Sequence, residues 1–384
     1  MKRINSNPLK ASTYLLRNAG KTLPLTGVIV LAVLLIAGIV SMINSIPLSI
    51  KVIYSYSRHY LGLTPRGDAE MTAELEKVVT DESPVPVDRV MRLRGTYIEV
   101  KSIVGNWPFV VVFLKPGDVE YYIERMGGGP LQGRLPEQGK PEIIISEPLA
   151  RNLGYKLGSV VLGPDNTDAY SPQEVKVVGI VDCPEWFAVS TFDYHMMNHF
   201  PPIDSILVFA GNAKDQKELD GWAEERFKGM RAQIFTYRQL EEQADTMFSI
   251  LYKILNVVIG TLVVVITMMM GMLINIYLSQ RIQEFGLLQA LGYTRATILK
   301  RVLSETALVV IGGWVLGVSV AYGLLNLVKV TLMDPRAFAL NTFDKTAFLY
   351  TIPVPITIFI VAGLTVIARF KKFDPVGVVE RRLV

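Results

Sequence analysis

Four stretches of this 384-residue chain carry no formal charge: Thr22–Ile50, Ile254–Gln280, Thr306–Val328 and Thr346–Ala368. Each exceeds the roughly 20 residues a helix needs to cross about 30 Å of hydrocarbon. One Lys or Arg at the centre of such a span would cost about 2.5–3.5 kcal/mol on insertion scales, so charge-free windows of this length point to membrane spans. Core helices of a soluble protein seldom run so long uncharged. The pattern predicts four transmembrane helices, with the long polar segment Lys51–Asp245 between the first and the second.

The first apolar block is read as a retained anchor. It exceeds the roughly 7–15 residues of a signal-peptide core, and Ser41–Pro47 offers no small-x-small cleavage site. Orientation follows from Lys and Arg near the span ends. Lys2, Arg3, Lys10, Arg17 and Lys21 precede span one. Arg281, Arg295, Lys300 and Arg301 lie between spans two and three, and Arg369, Lys371, Lys372, Arg381 and Arg382 follow span four. Both termini and the 280–304 segment are thus expected in the cytoplasm of a multi-pass inner-membrane protein, with 51–245 outside. This asymmetry accounts for the net charge of +4 without nucleic acid as a partner.

The polar segment reads as one extracytoplasmic domain. Trp107–Leu114, Glu142–Ile145, Val175–Val181 and Ile203–Phe209 are β-branched or apolar runs bounded by turn residues. Ser146 can cap a helix over Glu147–Leu153, with Gly154 as its stop, and Asp215–Lys228 is amphipathic at helical spacing. Gly127–Pro141 reads as a loop between lobes, so the fold class is an α+β membrane protein with a mixed, two-lobed α/β domain. The only cysteine, Cys183, allows no internal disulfide; a buried, inert thiol and an intermolecular bridge both remain open.

Two long helices carry this domain. Thr236 and Gln239 form a T-x-x-Q capping pattern that opens a helix running to Ser279, with Asp245 in its exposed part. At 1.5 Å per residue it is about twice the hydrocarbon thickness, so its first turns should stand outside as a stalk. Leu25–His59 can run similarly out of span one, with Pro47 as the place for a bend. Such helices can transmit displacement, or merely tether.

Residues 280–317 form a hook between spans two and three with a carboxylate at each edge, Glu284 and Glu305. Glu284–Leu291 reads as a short helix stopped by Gly292, and Thr294 restarts a helix into span three. Ile282, Phe285 and Leu288 share a face suited to the headgroup boundary, while Gln283, Glu284 and Leu287 can face the cytoplasm. Glu284, Gly286, Leu288, Ala290, Gly292, Glu305, Gly312, Gly313 and Gly317 follow a pattern that resembles permeases of the macrolide-exporter/FtsX family, the type VII ABC transporters. Gln283 and Gln289 depart from it where that family often has basic residues. Pro8–Thr22 resembles the family's interfacial elbow helix, Leu131–Leu162 its external core domain, and Phe373–Arg382 its Asp-Pro-led C-terminal helix.

The resemblance implies that the hook docks in a cleft of a separate ABC ATPase through Gln283, Glu284, Gly286, Leu287, Leu288, Ala290, Gly292 and Glu305. It also implies a dimer with a second copy or a close paralogue, a lipid bilayer, and room for a periplasmic adaptor. Gly313 and Gly317 permit close helix approach, within one subunit or across a dimer seam. No cofactor, metal or catalytic residue is expected on this chain; ATP and Mg belong on the partner. Gly20-Lys21-Thr22 imitates a phosphate loop, but Leu15 stands where its first glycine belongs. His195 and His199 have metal-ligand spacing, but Met196 replaces the glutamate of a zincin. Met268–Met270 reads as span packing.

The resulting organisation is a leader over 1–22, span one over 23–50, the extracytoplasmic domain over 51–245, span two over 246–279 and the coupling hook over 280–304. Span three over 305–330, a short external loop over 331–345, span four over 346–369 and a tail over 370–384 complete it. The function the resemblance implies is a permease that couples ATP hydrolysis on its partner to export or release of an amphipathic substrate. The rival is an FtsX-like transmitter that activates an external cell-wall hydrolase.

Overall fold

The computed structural model describes residues 19–66, 70–166, 169–191 and 204–371. Of these, 44–249 and 329–340 form one compact unit and the remainder a second. Leader residues 1–18, the C-terminal tail beyond 371 and the His195–His199 motif lie outside the described residues.

The first helix, α1 (Ala19–Ile53), passes Pro47 without a break. It ends at Ile53, short of the expected His59, and a single 3-10 turn follows over Ser55–Arg58. The Ser57 hydroxyl donates to the carbonyl of Tyr54 at 2.7 Å, competing for an acceptor that another α-turn would use.

The α/β unit is organised around β2 (Val87–Ser102), whose length exceeds that of any other described strand. Its first half pairs antiparallel with β9 (Ser205–Ala210) and its second half with β3 (Gly105–Leu114). On the β9 side the sheet continues through β1 (Leu61–Pro65) to β10 (Ala232–Phe235). On the β3 side it continues through β8 (Ala188–Thr191), β5 (Glu142–Ser146) and β7 (Val175–Val181) to β4 (Leu131–Gly133), with β6 (Val160–Leu162) also on β7. Two lobes result because each half of the sheet buries a separate apolar face. Leu61, Leu63, Ile206 and Val208 pack under α2 (Met71–Glu82) and α5 (Ala213–Arg226). Phe109, Phe113, Ile143–Ile145, Trp186 and Phe187 form the larger core with Val119 and Tyr122 of α3 (Pro116–Arg125) and Leu149 of α4 (Glu147–Leu153).

Details of that unit differ from the sequence pattern. Ser146 precedes α4 but does not cap it: its hydroxyl accepts from the Phe187 amide at 3.0 Å, joining β5 to the β8 end. Gly154 does close α4 in the left-handed region, at φ +74°. The expected loop Gly127–Pro141 contains β4, which adds an edge to β7 in antiparallel register. The cap of α5 is Asn212, accepting from Lys214 and Asp215. Cys183 is a buried free thiol that donates to the Met126 carbonyl at 3.0 Å, and burial pushes it up to about 11, so it is little ionised at neutral pH.

The helical unit contains α6 (Tyr237–Gln280) from residue 250 onward, α7 (Ile282–Ala290), α8 (Arg295–Val328), α9 (Lys345–Leu349) and α10 (Pro353–Lys371). Among the described residues, four helical segments have the length and apolar composition to cross a membrane: Thr22–Ile53, Tyr237–Gln280, Arg295–Arg336 and Lys345–Phe370. A Cβ at Gly317 would lie 2.8 Å from Val33, and one at Gly313 would lie 3.1 Å from Ile29, so both glycines let α8 approach α1 of the same chain. Polar pairs add specificity between helices: Thr267 with Thr357 at 2.8 Å, and the Trp314 indole donating to Thr351 at 3.0 Å.

Residues 329–340, most of them within the short external loop expected over 331–345, belong to the α/β unit. Asn152 donates to the Arg336 carbonyl at 2.9 Å, and Ser49 accepts from the Ala339 amide at 3.2 Å. The last span opens with α9, capped by Asp344 at 2.9 Å, and restarts as α10 at Pro353, a residue suited to a helix's first turn.

Candidate functional site

The hook is built from one chain reversal. α6 ends at Gln280, Arg281 alone is non-helical, and α7 begins at Ile282. Gly292 then closes α7 at φ +91°, with the Tyr293 amide donating to Leu288 O at 3.1 Å and the Gly292 amide to Gln289 O at 2.9 Å. That paired pattern requires a left-handed residue, which glycine adopts without steric cost. Thr294 caps α8 by accepting from the Thr297 amide at 3.3 Å.

A four-residue ion network fixes the hook against span three. The Arg281 guanidinium is only 2 % exposed and forks onto Glu284, Nε at 2.9 Å and Nη2 at 3.1 Å. Its Nη1 donates to Glu305 at 2.6 Å and to the Tyr277 hydroxyl at 2.9 Å. Glu305, also 2 % exposed, accepts from Arg301 Nε at 3.0 Å, and Arg301 Nη2 lies 3.6 Å from Glu284. Two cations and two anions cancel, which is the condition for such groups to be buried at all. The two carboxylates that mark the edges of the hook in sequence are therefore held together through Arg281.

Around this network the hook residues divide into two sets. Phe285 and Gly286 are buried, and Phe285 lies 5.3 Å from the Phe370 ring of α10, so it packs inward where a headgroup-facing position was expected. Leu288 packs partly against the same core. Gln283, Leu287, Ala290 and Gly292 are exposed, Leu287 at 64 %, as is Leu291 at 73 %. Arg281 and Arg301 count only as positive-inside charges when the sequence is read linearly. The available signal was their spacing: Arg281 precedes Glu284 by three residues and Arg301 precedes Glu305 by four, both one-face distances on a helix.

The stalk residues lie at the start of α6. The Thr236 hydroxyl accepts from the Gln239 amide at 3.2 Å and donates to Glu224 at 2.7 Å, so the cap also ties the helix to α5. Two turns later, Lys51 of α1 pairs with Glu241 at 3.1 Å and Asp245 at 2.9 Å. Thus α1 and α6 are clasped by an ion pair where both belong to the α/β unit.

One constellation resembles catalytic machinery without its connectivity. Ser55 and His59 both bond to the Glu185 carboxylate and not to each other, so no serine–histidine nucleophile pair is formed. Burial opposes ionisation of Glu185, yet the His59 and Ser55 bonds hold it below the usual carboxylate range. Among the described residues, no group of three or more His, Cys, Asp or Glu side chains is placed to hold a metal.

Residues 256–372 match the FtsX-like permease C-terminal family. The hook and its ion network fall inside this match. No curated protein matches the chain. Among solved structures, the periplasmic region of MacB from Actinobacillus actinomycetemcomitans is similar at 11 % identity and a TM-score of 0.30, covering 51 % of this chain and 98 % of its own. The extracellular domain of the noncanonic ABC-type transporter YknZ from Gram-positive bacteria is similar at 15 % identity and a TM-score of 0.28, covering 46 % and 100 %. A domain of a putative permease from Porphyromonas gingivalis is similar at 13 % identity and a TM-score of 0.25, covering 47 % and 89 %.

Proposed function

We propose that this chain is the membrane-spanning permease subunit of a type VII ABC transporter. It couples ATP hydrolysis on a separate ATPase to movement of the α/β unit on the outer side of the membrane, driving export or release of an amphipathic substrate. The FtsX-like C-terminal domain supports the class of protein. The observation that carries the coupling role is the hook itself: a buried, charge-balanced network welds its inner edge to span three, while Gln283, Leu287, Ala290 and Leu291 stay exposed. A lever needs that combination, a rigid root and a free contact surface.

In this mechanism, the ATPases close on ATP and push the hooks of two permease copies. Because Arg281 ties Glu284 to Glu305, displacement of α7 is passed directly to α8 and α6. The clasp of Lys51 on Glu241 and Asp245 makes the outer ends of α1 and α6 move together. Residues 329–340, continuous with α8 and bonded to Asn152, give the α/β unit a further handle.

The test is association. The purified chain should hold an ATPase from its own cell, and Glu284→Lys or Gly292→Val should uncouple ATP hydrolysis from transport with membrane insertion intact. Lysine at 284 would face Arg281 and Arg301. Valine at 292 would have to adopt a left-handed conformation that β-branched residues avoid. A wild-type chain that associates with no such ATPase sinks the proposal.

A further inference from the structure

A cavity of about 790 Å³ lies within the α/β unit, in the size range of small-molecule sites. Its floor is one pleated face of the run β10–β1–β9–β2–β3. Phe235 stands opposite Gly62, Leu93 opposite Ser205 and Tyr97 opposite Val110, and all six line the cavity. Two of the floor positions are glycines in strand interiors, Gly62 and Gly95, where any side chain would occupy the trough or press on Phe235 and Val110 at 3.2 Å. The roof is the end of α1 with Ile50, Tyr54 just beyond it, and the start of α6, with Tyr237, Leu240 and Met247.

The lining is strongly aromatic: Tyr54, Tyr56, Tyr97, Trp107, Phe235 and Tyr237 all contribute. Tyr97 is 64 % exposed although it belongs to a central strand, so its ring is not consumed by the core. The charged lining residues are Lys51 and Glu241. The Lys51 ammonium is already engaged by one oxygen of Glu241 and one of Asp245, whose side chains stay 44 % and 61 % exposed. Each carboxylate keeps further acceptor sites and Lys51 keeps one of its three donors, so the three groups together carry one net negative charge. Arg58, the neighbouring cation, is likewise engaged, stacked 4.1 Å over the Tyr237 ring and donating to its hydroxyl. A ligand entering this space meets ring faces, aliphatic walls and the Glu241 carboxylate beside its Lys51 partner.

We propose that the cavity binds a cationic amphiphile of drug size, its apolar body on the sheet floor and its cation beside Glu241 and the aromatic faces. Ring faces attract cations through their quadrupole, and a carboxylate at the mouth of an apolar pocket selects against anions of the same shape. The proposal goes beyond the permease reading, because binding belongs to this chain alone and needs no ATPase.

The experiment uses the full chain in an uncharged detergent with Cys183→Ser and one new thiol, either Gln243→Cys in the lining or Glu242→Cys outside it; both native residues are exposed. Maleimide labelling is followed with tetraphenylphosphonium or the isosteric anion tetraphenylborate. The phosphonium should slow labelling at position 243 at least tenfold and leave 242 unchanged, and the borate should do neither. Glu241→Gln, which keeps the side-chain shape, and Tyr97→Ala at its exposed ring should each weaken the protection about tenfold. No protection at 243, equal protection at both positions, equal protection by both ions, or protection that survives both substitutions each overturns the proposal. A chain that binds the cation but recruits no ATPase would sink the permease reading and leave this one standing.

Discussion

Arg281 shows how much one buried charge can decide. With Arg281→Met, Glu305 would keep Arg301 but lose its 2.6 Å partner in a site that is 2 % exposed. Breaking a buried pair from one side costs about 3–5 kcal/mol, because the remaining charge is left uncompensated. Thermal unfolding in detergent should register that loss, and Arg281→Met combined with Glu305→Met should recover most of it. A single mutant as stable as wild type would show that the network contributes nothing. Asp220 offers a pH-dependent counterpart in the α/β unit. Burial raises its carboxyl to about 7, against the opposing Gln216 hydrogen bond and the charge of Arg238. The folded state therefore binds a proton that the unfolded chain has released, so stability falls as pH rises from about 4 to 7 and levels off above. Asp220→Asn should stabilise the protein at pH 8, on the order of 2 kcal/mol, and change little at pH 4. An equal effect at both pH values would refute this assignment.

At the level of elements, α6 carries the mechanical claim. Its 44 residues extend about 66 Å at the α-helical rise, and Gly260 and Gly271 do not interrupt it. Proline at position 245 would remove an intrahelical hydrogen bond at a cost of about 3 kcal/mol and kink the helix within its first three turns. The same change removes the Lys51–Asp245 pair, so Asp245→Asn serves as the control that loses the charge and keeps the helix. Asp245→Pro should leave ATPase association intact and abolish transport, while Asp245→Asn should keep most of it. Full transport by an assembled Asp245→Pro mutant would reduce the helix to a tether.

For the whole molecule, the decisive property is which parts share a side of the membrane. Single cysteines in a Cys183→Ser background answer it. Lys217 and Pro335 are exposed in the α/β unit, and Thr294 is exposed beside the hook. Impermeant maleimide should label positions 217 and 335 on intact cells and position 294 only after permeabilisation. Labelling of 294 from outside would reverse the orientation read from the Lys and Arg bias.

Local periodicity, charge and turn chemistry made the spans and several strands and helix stops legible in the sequence. The four apolar windows mark the helices, because a span must be long and uncharged wherever it packs. Val175–Val181 is a strand at the expected limits, and Gly154 and Gly292 stop helices through a backbone conformation that glycine adopts freely. Strands with mixed polarity were less legible. β2 alternates imperfectly because its two halves face different neighbours, and α2 and α3 are short and charged. Only the tertiary structure brought Arg281 to Glu305, 24 positions away, and Lys51 to Asp245 across the whole α/β unit. It also settled Gly313 and Gly317 against α1 of the same chain and opened the cavity over Gly62 and Gly95. The physical reason is common to all of these. A cap or a span is fixed by interactions within a few residues, whereas a buried ion network, a helix seam or a cavity exists only once distant segments share one low-dielectric space.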